Sequence, residues 1–298
     1  MWSHRLALIG GVALCVTVGA ATEPAPAAVA IASFVDGQVW STPAPGGEQT
    51  PLRLFARLRP EAVVTTGAGA RVVLAFTSGR RFELQAGARA VVTAEALEGA
   101  GDAVRELAAV PTSPQLLPLA FDEDVGARAG ATRFRDSGGL GVHISGLAPG
   151  DGEIVLADAV ALAFEPFPGV DSYRVEVEDE AGRALLQLET QASAVPVPAG
   201  VLRPGALYLW RVRTAGRLRP AAMAEVVFAT LGADKAEARR ALADQARGGD
   251  DADLLVLLAE VDSGLGMRLQ ACADLERAAE LAGPNPALDE ARARLGCR

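Results

Sequence analysis

Between Ile31 and Thr230 the apolar residues of this chain come in short runs, each stopped by Gly, Pro, Asp-Gly or Ser-Gly; from residue 233 onward Ala, Leu, Glu and Arg follow one another in long stretches. A side-chain period of two belongs to strands and one of about 3.6 to helices. The switch predicts a mainly β chain that ends in an α-helical segment. Length allows this, since 298 residues suffice for two or three domains. The β part is itself interrupted: residues 99–152 hold a Pro-rich stretch from Thr112 to Pro118 and a Gly-rich one from Asp136 to Gly152. So long a span without structure is uncommon inside one domain. It is read as a linker with one or two strands, such as Val142–Ile144.

Residues 29–98 are expected to be β. Ile31–Val35, Gln38–Trp40, Ala62–Thr66, Arg71–Phe76, Arg81–Leu84 and Ala90–Thr93 are strand candidates, separated by Asp36-Gly37, Pro45-Gly46-Gly47, Gly67-Ala68-Gly69, Ser78-Gly79 and Gly87. Asp-Gly and Ser-Gly supply the positive φ of tight turns. Arg71 to Phe76 alternates only in part, as a strand buried on both faces does. The order of these elements resembles the FecR domain, a bacterial periplasmic β module. Asp36-Gly37-Gln38-Val39 fits its opening strand, Ala62 to Gly67 its "v-x-T" strand, and Arg71 to Leu84 its apolar hairpin. Ser78-Gly79 stands where the family usually has Asp-Gly, and Pro60-Glu61 where it has Gly-Asp.

Residues 153–231 are expected to form a second β module, from strands at Ala161–Glu165, Ser172–Glu178, Ala184–Glu189, Tyr208–Ala215 and Glu225–Thr230. Tyr173 to Glu178 alternates cleanly, and Asp179-Glu180-Ala181-Gly182 is a hairpin turn. Regular strands with turns between them predict an immunoglobulin/fibronectin III-like β-sandwich. Leu202-Arg203-Pro204-Gly205-Ala206-Leu207-Tyr208 resembles the tyrosine corner of fibronectin type III domains. That resemblance gives Leu202, Pro204 and Tyr208 structural roles. Trp210 shares the inward face of Tyr208 and is assigned to the core.

The last region, 233–298, divides into helices near 234–247, 251–263, 267–282 and 286–296. Gly248-Gly249 ends the first, Asp250 or Asp251 caps the second, and Gly283-Pro284-Asn285-Pro286 separates the last two. Leu269, Cys272, Leu275, Ala279 and Leu281 make an apolar stripe. The turn from Leu281 to Ala287 resembles the junction between tetratricopeptide repeats, but an array needs about three repeats. A helical-hairpin pair is expected. The two arms on either side of that turn match in length, so antiparallel helices bring Cys297 beside Cys272. A disulfide there contributes roughly 3 kcal/mol under the chain-entropy model; the alternative is two free thiols.

The N-terminus bears on compartment. Arg5 precedes an apolar run from Leu6 to about Ala21, which is short of the ~20 residues that span a bilayer. Val18-Gly19-Ala20 and Ala20-Ala21-Thr22 fit a signal-peptidase site, and a Pro/Ala linker (22–28) follows. A signal peptide over 1–21 and a periplasmic or secreted location are expected, with an uncleaved anchor as the alternative. Leu14 before Cys15 departs from a lipobox. No later run is long enough to span a membrane.

Chemistry is sparse. Of the two histidines, His4 lies in the leader and His143 stands beside Gly-rich sequence, so neither a Ser-His-Asp nor a Cys-His arrangement is expected. There is no C-x-x-C, no G-x-S-x-G and no phosphate loop; Gly138-Gly139-Leu140-Gly141 lacks the dinucleotide spacing. Asp122-Glu123-Asp124 and Asp250-Asp251-Ala252-Asp253 lack the pattern of a calcium loop, and they are read as a solvated loop and a helix start. Trp40, Trp210, Tyr173 and Tyr208 occupy strand positions and are read as core. The net charge of −9, with no strongly basic segment, disfavours nucleic acid. No catalytic residue, cofactor or metal is expected.

The resulting expectation is a non-enzymatic envelope protein that binds other proteins, along an exposed sheet edge. The alternatives are a carbohydrate or peptidoglycan binder and an envelope signalling component. In the regulator that defines the FecR family the module follows a cytoplasmic anti-sigma segment. Here the apolar run begins at Leu6, so that role is not expected to carry over.

Overall fold

A computed structural model describes residues 27–43, 47–110, 143–215 and 222–297. The expected leader, most of the 22–28 linker, residues 111–142 with Asp122-Glu123-Asp124 and the Gly138–Gly141 run lie outside the described residues. The molecule is mainly β and ends in helices.

The first module stacks two five-stranded sheets. The first sheet takes β1 (Ala30–Asp36), β4 (Arg57–Leu58), β6 (Arg71–Phe76), β7 (Arg81–Leu84) and β10 (Val104–Leu107), in the order β10-β7-β6-β1-β4. The second takes β2 (Val39–Thr42), β3 (Thr50–Pro51), β5 (Val63–Thr66), β8 (Arg89–Val92) and β9 (Leu97–Glu98), in the order β3-β2-β5-β8-β9. Between β1 and β2 the chain crosses from one sheet to the other at Gly37. There φ is +74° and an added Cβ would meet Ala70 Cβ at 2.9 Å, so only Gly fits. Six of the seven residues of β1, and all but the first of β6, are buried, so both faces of this sheet are covered.

Four helices make the second cover: α1 (Ala233–Gly248), α2 (Ala252–Gly264), α3 (Arg268–Ala282) and α4 (Pro286–Leu295). α2 packs against β1 and is buried nearly all round, from Leu254 through Ala259 and again at Val261 and Asp262. One hydrophobic core runs without a break from Ile31, Leu74 and Phe82 of the sheets into Leu257, Leu275 and Leu288 of the helices. The helical segment, the expected pair of hairpins, is also the third layer of the first module. Within α3 the buried apolar residues are Ala271, Leu275 and Ala278, whereas Leu269, expected on the core stripe, is 40% exposed. Small residues face the neighbouring helices because close helix contact leaves no room for longer ones.

The second module is a β-sandwich with its own core. Its larger sheet is β11 (Ile154–Val155), β17 (Met223–Thr230), β16 (Leu207–Thr214), β13 (Tyr173–Asp179) and β14 (Ala184–Thr190), in that order; β12 (Ala161–Ala163) and β15 (Ala194–Pro196) make the smaller one. β16 alternates strictly, with Tyr208, Trp210, Val212 and Thr214 buried. The expected linker over 99–152 is corrected at both ends. Val104–Leu107 pairs with β7, and Val110 belongs to the first core. At the other end Ile144 joins the sandwich core, and Ala148 bridges Ala163.

Candidate interaction surface

The residues singled out in the sequence fall at two places. Cys272 in α3 and Cys297 after α4 are bonded, with S–S 2.04 Å and Cα–Cα 5.4 Å. Leu202 is buried and Pro204 exposed at the corner before β16. The Tyr208 hydroxyl accepts from Arg203 N (2.6 Å) and lies 3.3 Å from Arg203 O as donor. Trp210 is 0% exposed, and its indole N–H donates to Pro149 O at 2.9 Å. A second tyrosine does the same work unannounced. The Tyr173 hydroxyl accepts from Phe167 N at 2.7 Å and faces Val170 O at 3.3 Å. Trp40 departs from its expected burial, being half-exposed on the outer face of the second sheet.

The strongest electrostatics lie where elements join. Arg81 on β7 is 1% exposed. Its guanidinium donates to Asp251 at 3.0 and 3.2 Å, to Asp253, and to Ala108 O. Burial, reinforced by a hydrogen bond with Asp251, pushes the Asp253 carboxyl up to about 6, against the pull of Arg81. Asp251 also caps α2 by accepting from Leu254 N. The acidic run at 250–253 is thus the expected helix start and also the receptor for a buried arginine. Further along α2, burial raises Glu260 despite Arg57 of β4 at 3.2 Å. Burial likewise raises Asp262 to about 6 despite Arg239 of α1 at 2.6 and 2.8 Å. Arg239 also reaches Asp274 of α3, which in turn takes Arg247. Three carboxylates on one helix, Asp262 buried and Asp253 and Glu260 half-buried, therefore each hold an arginine from a different element. An ion pair so deeply buried is costly to break from one side.

The helices also brace the sandwich. α3 has no side-chain cap of its own; Glu153 of the sandwich supplies one, accepting from Leu269 N at 3.0 Å and from Gly150 N at 2.8 Å. Ile154 N donates to Gly266 O at 3.1 Å. On the other side Asn285 caps α4 and donates to Val35 O of β1 at 3.0 Å.

The outer surface of the sandwich carries a charged row. Gln187, Glu176, Arg211 and Glu225 stand in one row across β14, β13, β16 and β17. Their side chains are joined in sequence at 2.9, 3.3 and 2.7 Å. Hydrogen bonding by Gln187, opposed by burial and aided by Arg213 and Arg211, holds Glu176 below the usual carboxylate range. This face is charge-balanced and carries no aromatic side chain. Its margin differs. Among the described residues β14 pairs with β13 alone, leaving seven residues of open edge. The smaller sheet has only two strands, so Leu186 and Leu188 stay half-exposed although they pair with the inward Val177 and Val175.

Other features are plain. His143 is exposed and its backbone bridges Met223. Among the described residues no group of three or more His, Cys, Asp or Glu is placed to hold a metal ion, and no helix is long and apolar enough to cross a membrane. No family model and no curated protein matches the chain. Among solved structures it is similar to CopC from Methylosinus trichosporium OB3b, with 16% identity, coverage of 30% of this chain and 94% of that one, and a TM-score of 0.23. It is also similar to a segment of two fibronectin type III domains from chicken tenascin, with 11% identity, coverage of 68% and 93%, and a TM-score of 0.21. At these TM-scores neither likeness bears on function.

Proposed function

We propose that this chain is a non-enzymatic protein of the bacterial envelope that mediates protein–protein interaction, with a FecR-like first module, a fibronectin III-like sandwich and a tetratricopeptide-like helical layer. The observation that carries the reading is the open β14 edge on a body braced from both sides by buried ion pairs and helix caps. A strand edge of that length offers unpaired backbone groups to an incoming strand, and rigidity lowers the entropy cost of using it. The carboxyls that burial makes weaker acids, Asp253, Glu260 and Asp262, all serve to hold elements together, which is scaffold chemistry. The leader-like N-terminus supports export.

The test is photo-crosslinking in the cell from a reporter residue at position 187, with a reporter at the buried position 210 as control. A discrete envelope partner captured at 187 and absent at 210 supports the reading. A fractionation that leaves the chain in the cytoplasm overturns it. A second reading, binding of wall carbohydrate, is favoured by Trp40, which shares an outer row with Pro51, Thr65 and Arg89. Calorimetric titration with glycan fragments, lost in Trp40→Ala, would support that reading instead.

A further inference from the structure

The other sheet edges of the described structure are short or guarded. β3, β4, β9 and β11 have two residues each. β15 ends in Pro196. β10 presents Arg105 and Glu106, tied to Glu83 and Arg80. Such devices keep edges from pairing. β14, with the sequence Ala-Leu-Leu-Gln-Leu-Glu-Thr, is the exception. We propose that this edge pairs antiparallel with the same edge of a second copy of the chain, across a two-fold axis at Leu188. This rests on the interaction reading above and names its partner.

The backbone decides the register. Asp179 N–H donates to Arg183 O across the hairpin, while Ala215 N donates to Ser172 O on the other flank of β13. Backbone groups alternate in direction along a strand, so Tyr173, Val175 and Val177 turn theirs toward β14. Their partners there are Thr190, Leu188 and Leu186. Gln187 and Glu189 are left with N–H and C=O directed to the open side. The pairing with β13 shifts register at Val177/Glu178, where Val177 meets Leu186 and Glu178 meets Ala184. Leu185 is therefore a bulge, and it confines the regular edge to Leu186–Thr190.

A two-fold contact sets residue i against j and j against i. Outward-directed residues must face each other, so Gln187 meets Glu189 of the second copy, Glu189 meets its Gln187, and Leu188 meets Leu188. Each Gln187–Glu189 pair exchanges two backbone hydrogen bonds. The side chains agree with this register. Gln187 spends one amide N–H on Glu176 and has a second for the facing carboxylate. On the inner face Leu188 meets its own copy and Leu186 meets Thr190, covering the apolar overhang that the two-stranded sheet leaves open. A contact this small gives a weak dimer, with a midpoint on the order of tens of micromolar.

Sedimentation of the purified full chain, disulfide intact, over about 1–300 µM tests it. Gln187→Pro removes the outward backbone donor together with the side-chain bond to Glu176 and leaves the backbone ladder to β13 whole; Gln187→Ala removes the side chain alone. The expected result is a dimer that Gln187→Pro weakens at least about tenfold and Gln187→Ala less than about threefold. Both variants are checked for an unchanged thermal transition. Hydrogen exchange on the parent chain should show the amides of Gln187 and Glu189 slowing with concentration, with Leu186 and Leu188 unchanged. A monomer throughout the range, or a dimer indifferent to Gln187→Pro, overturns the proposal. A monomer that still captures an envelope partner at position 187 sinks the dimer alone; a dimer with no envelope partner sinks the broader reading alone.

Discussion

The two β modules solve the same problem differently. In the first, a sheet is covered on both faces, by a second sheet and by four helices, and its strands β1 and β6 are almost continuously buried. In the second, one face of the large sheet meets the core and the other meets solvent, so β16 alternates residue by residue. The polar side of each sheet differs accordingly. On the sandwich, charges form a row of mutually paired side chains on the outer face, buried at Glu176 and exposed at Glu225. On the first module they are swallowed: Arg81 leaves a strand and finds its carboxylates on a helix far along the chain. Covering a sheet turns its few charged positions from solubilising groups into specific locks.

The comparison implies two cooperative units, one made of the first module with the helices and one made of the sandwich. Ending the chain at Gly232 is the severest test. The sandwich should keep a cooperative melt while the first module, deprived of half its core, loses native protection from proteolysis; survival of both would show that the helices are dispensable. Next comes Arg239→Ala, which strands Asp262 in the interior, leaves Asp274 to Arg247 alone and should cost about 3–5 kcal/mol. In calorimetry only the transition of the larger unit should move.

A pH series separates the units more gently. Burial holds Asp253 and Asp262 near 6, against an ordinary value of 3.8. The folded larger unit therefore binds protons that the unfolded chain releases. Its stability from these groups is full below about 4 and is lost as pH rises through about 6. From about pH 4.5 to 7.5 the loss should be roughly 1–3 kcal/mol, reduced in Asp253→Asn. The sandwich, whose Glu176 is shifted the other way, should not share it. Smallest is Tyr208→Phe, which leaves Arg203 N without its acceptor and should lower the sandwich transition alone by about 1 kcal/mol.

What could be read in the sequence follows the same division. Alternation in β13 and β16, the corner at Leu202 to Tyr208 and the helix stops at Gly248-Gly249 and Asn285-Pro286 are local signals, and local chemistry decides those elements. The layer formed by the helices was not legible. Nothing near Arg81 marks it as buried, because its partners Asp251 and Asp253 stand about 170 positions away and read locally as a helix start. The partial alternation of Arg71 to Phe76 did signal a second cover but could not say what supplied it. For the interaction surface, the open edge was foreseeable as a type. Which strand carries it depends on the missing width of the two-stranded sheet.

The cap that Glu153 places on α3, and the bond from Asn285 to Val35, have a consequence in time. Of the described elements, β1 comes before the sandwich in the chain and α4 after it, and the two are joined through Asn285 and Val35. Contacts so distant in sequence form slowly, and until they do the outer face of β1 and β6 lies bare and prone to stray association. The sandwich, whose own core draws only on residues from Ile144 to Phe228, needs no such wait. The sandwich is therefore expected to fold first and the first module together with the helices after it, an order that pulse-labelled hydrogen exchange during refolding would show.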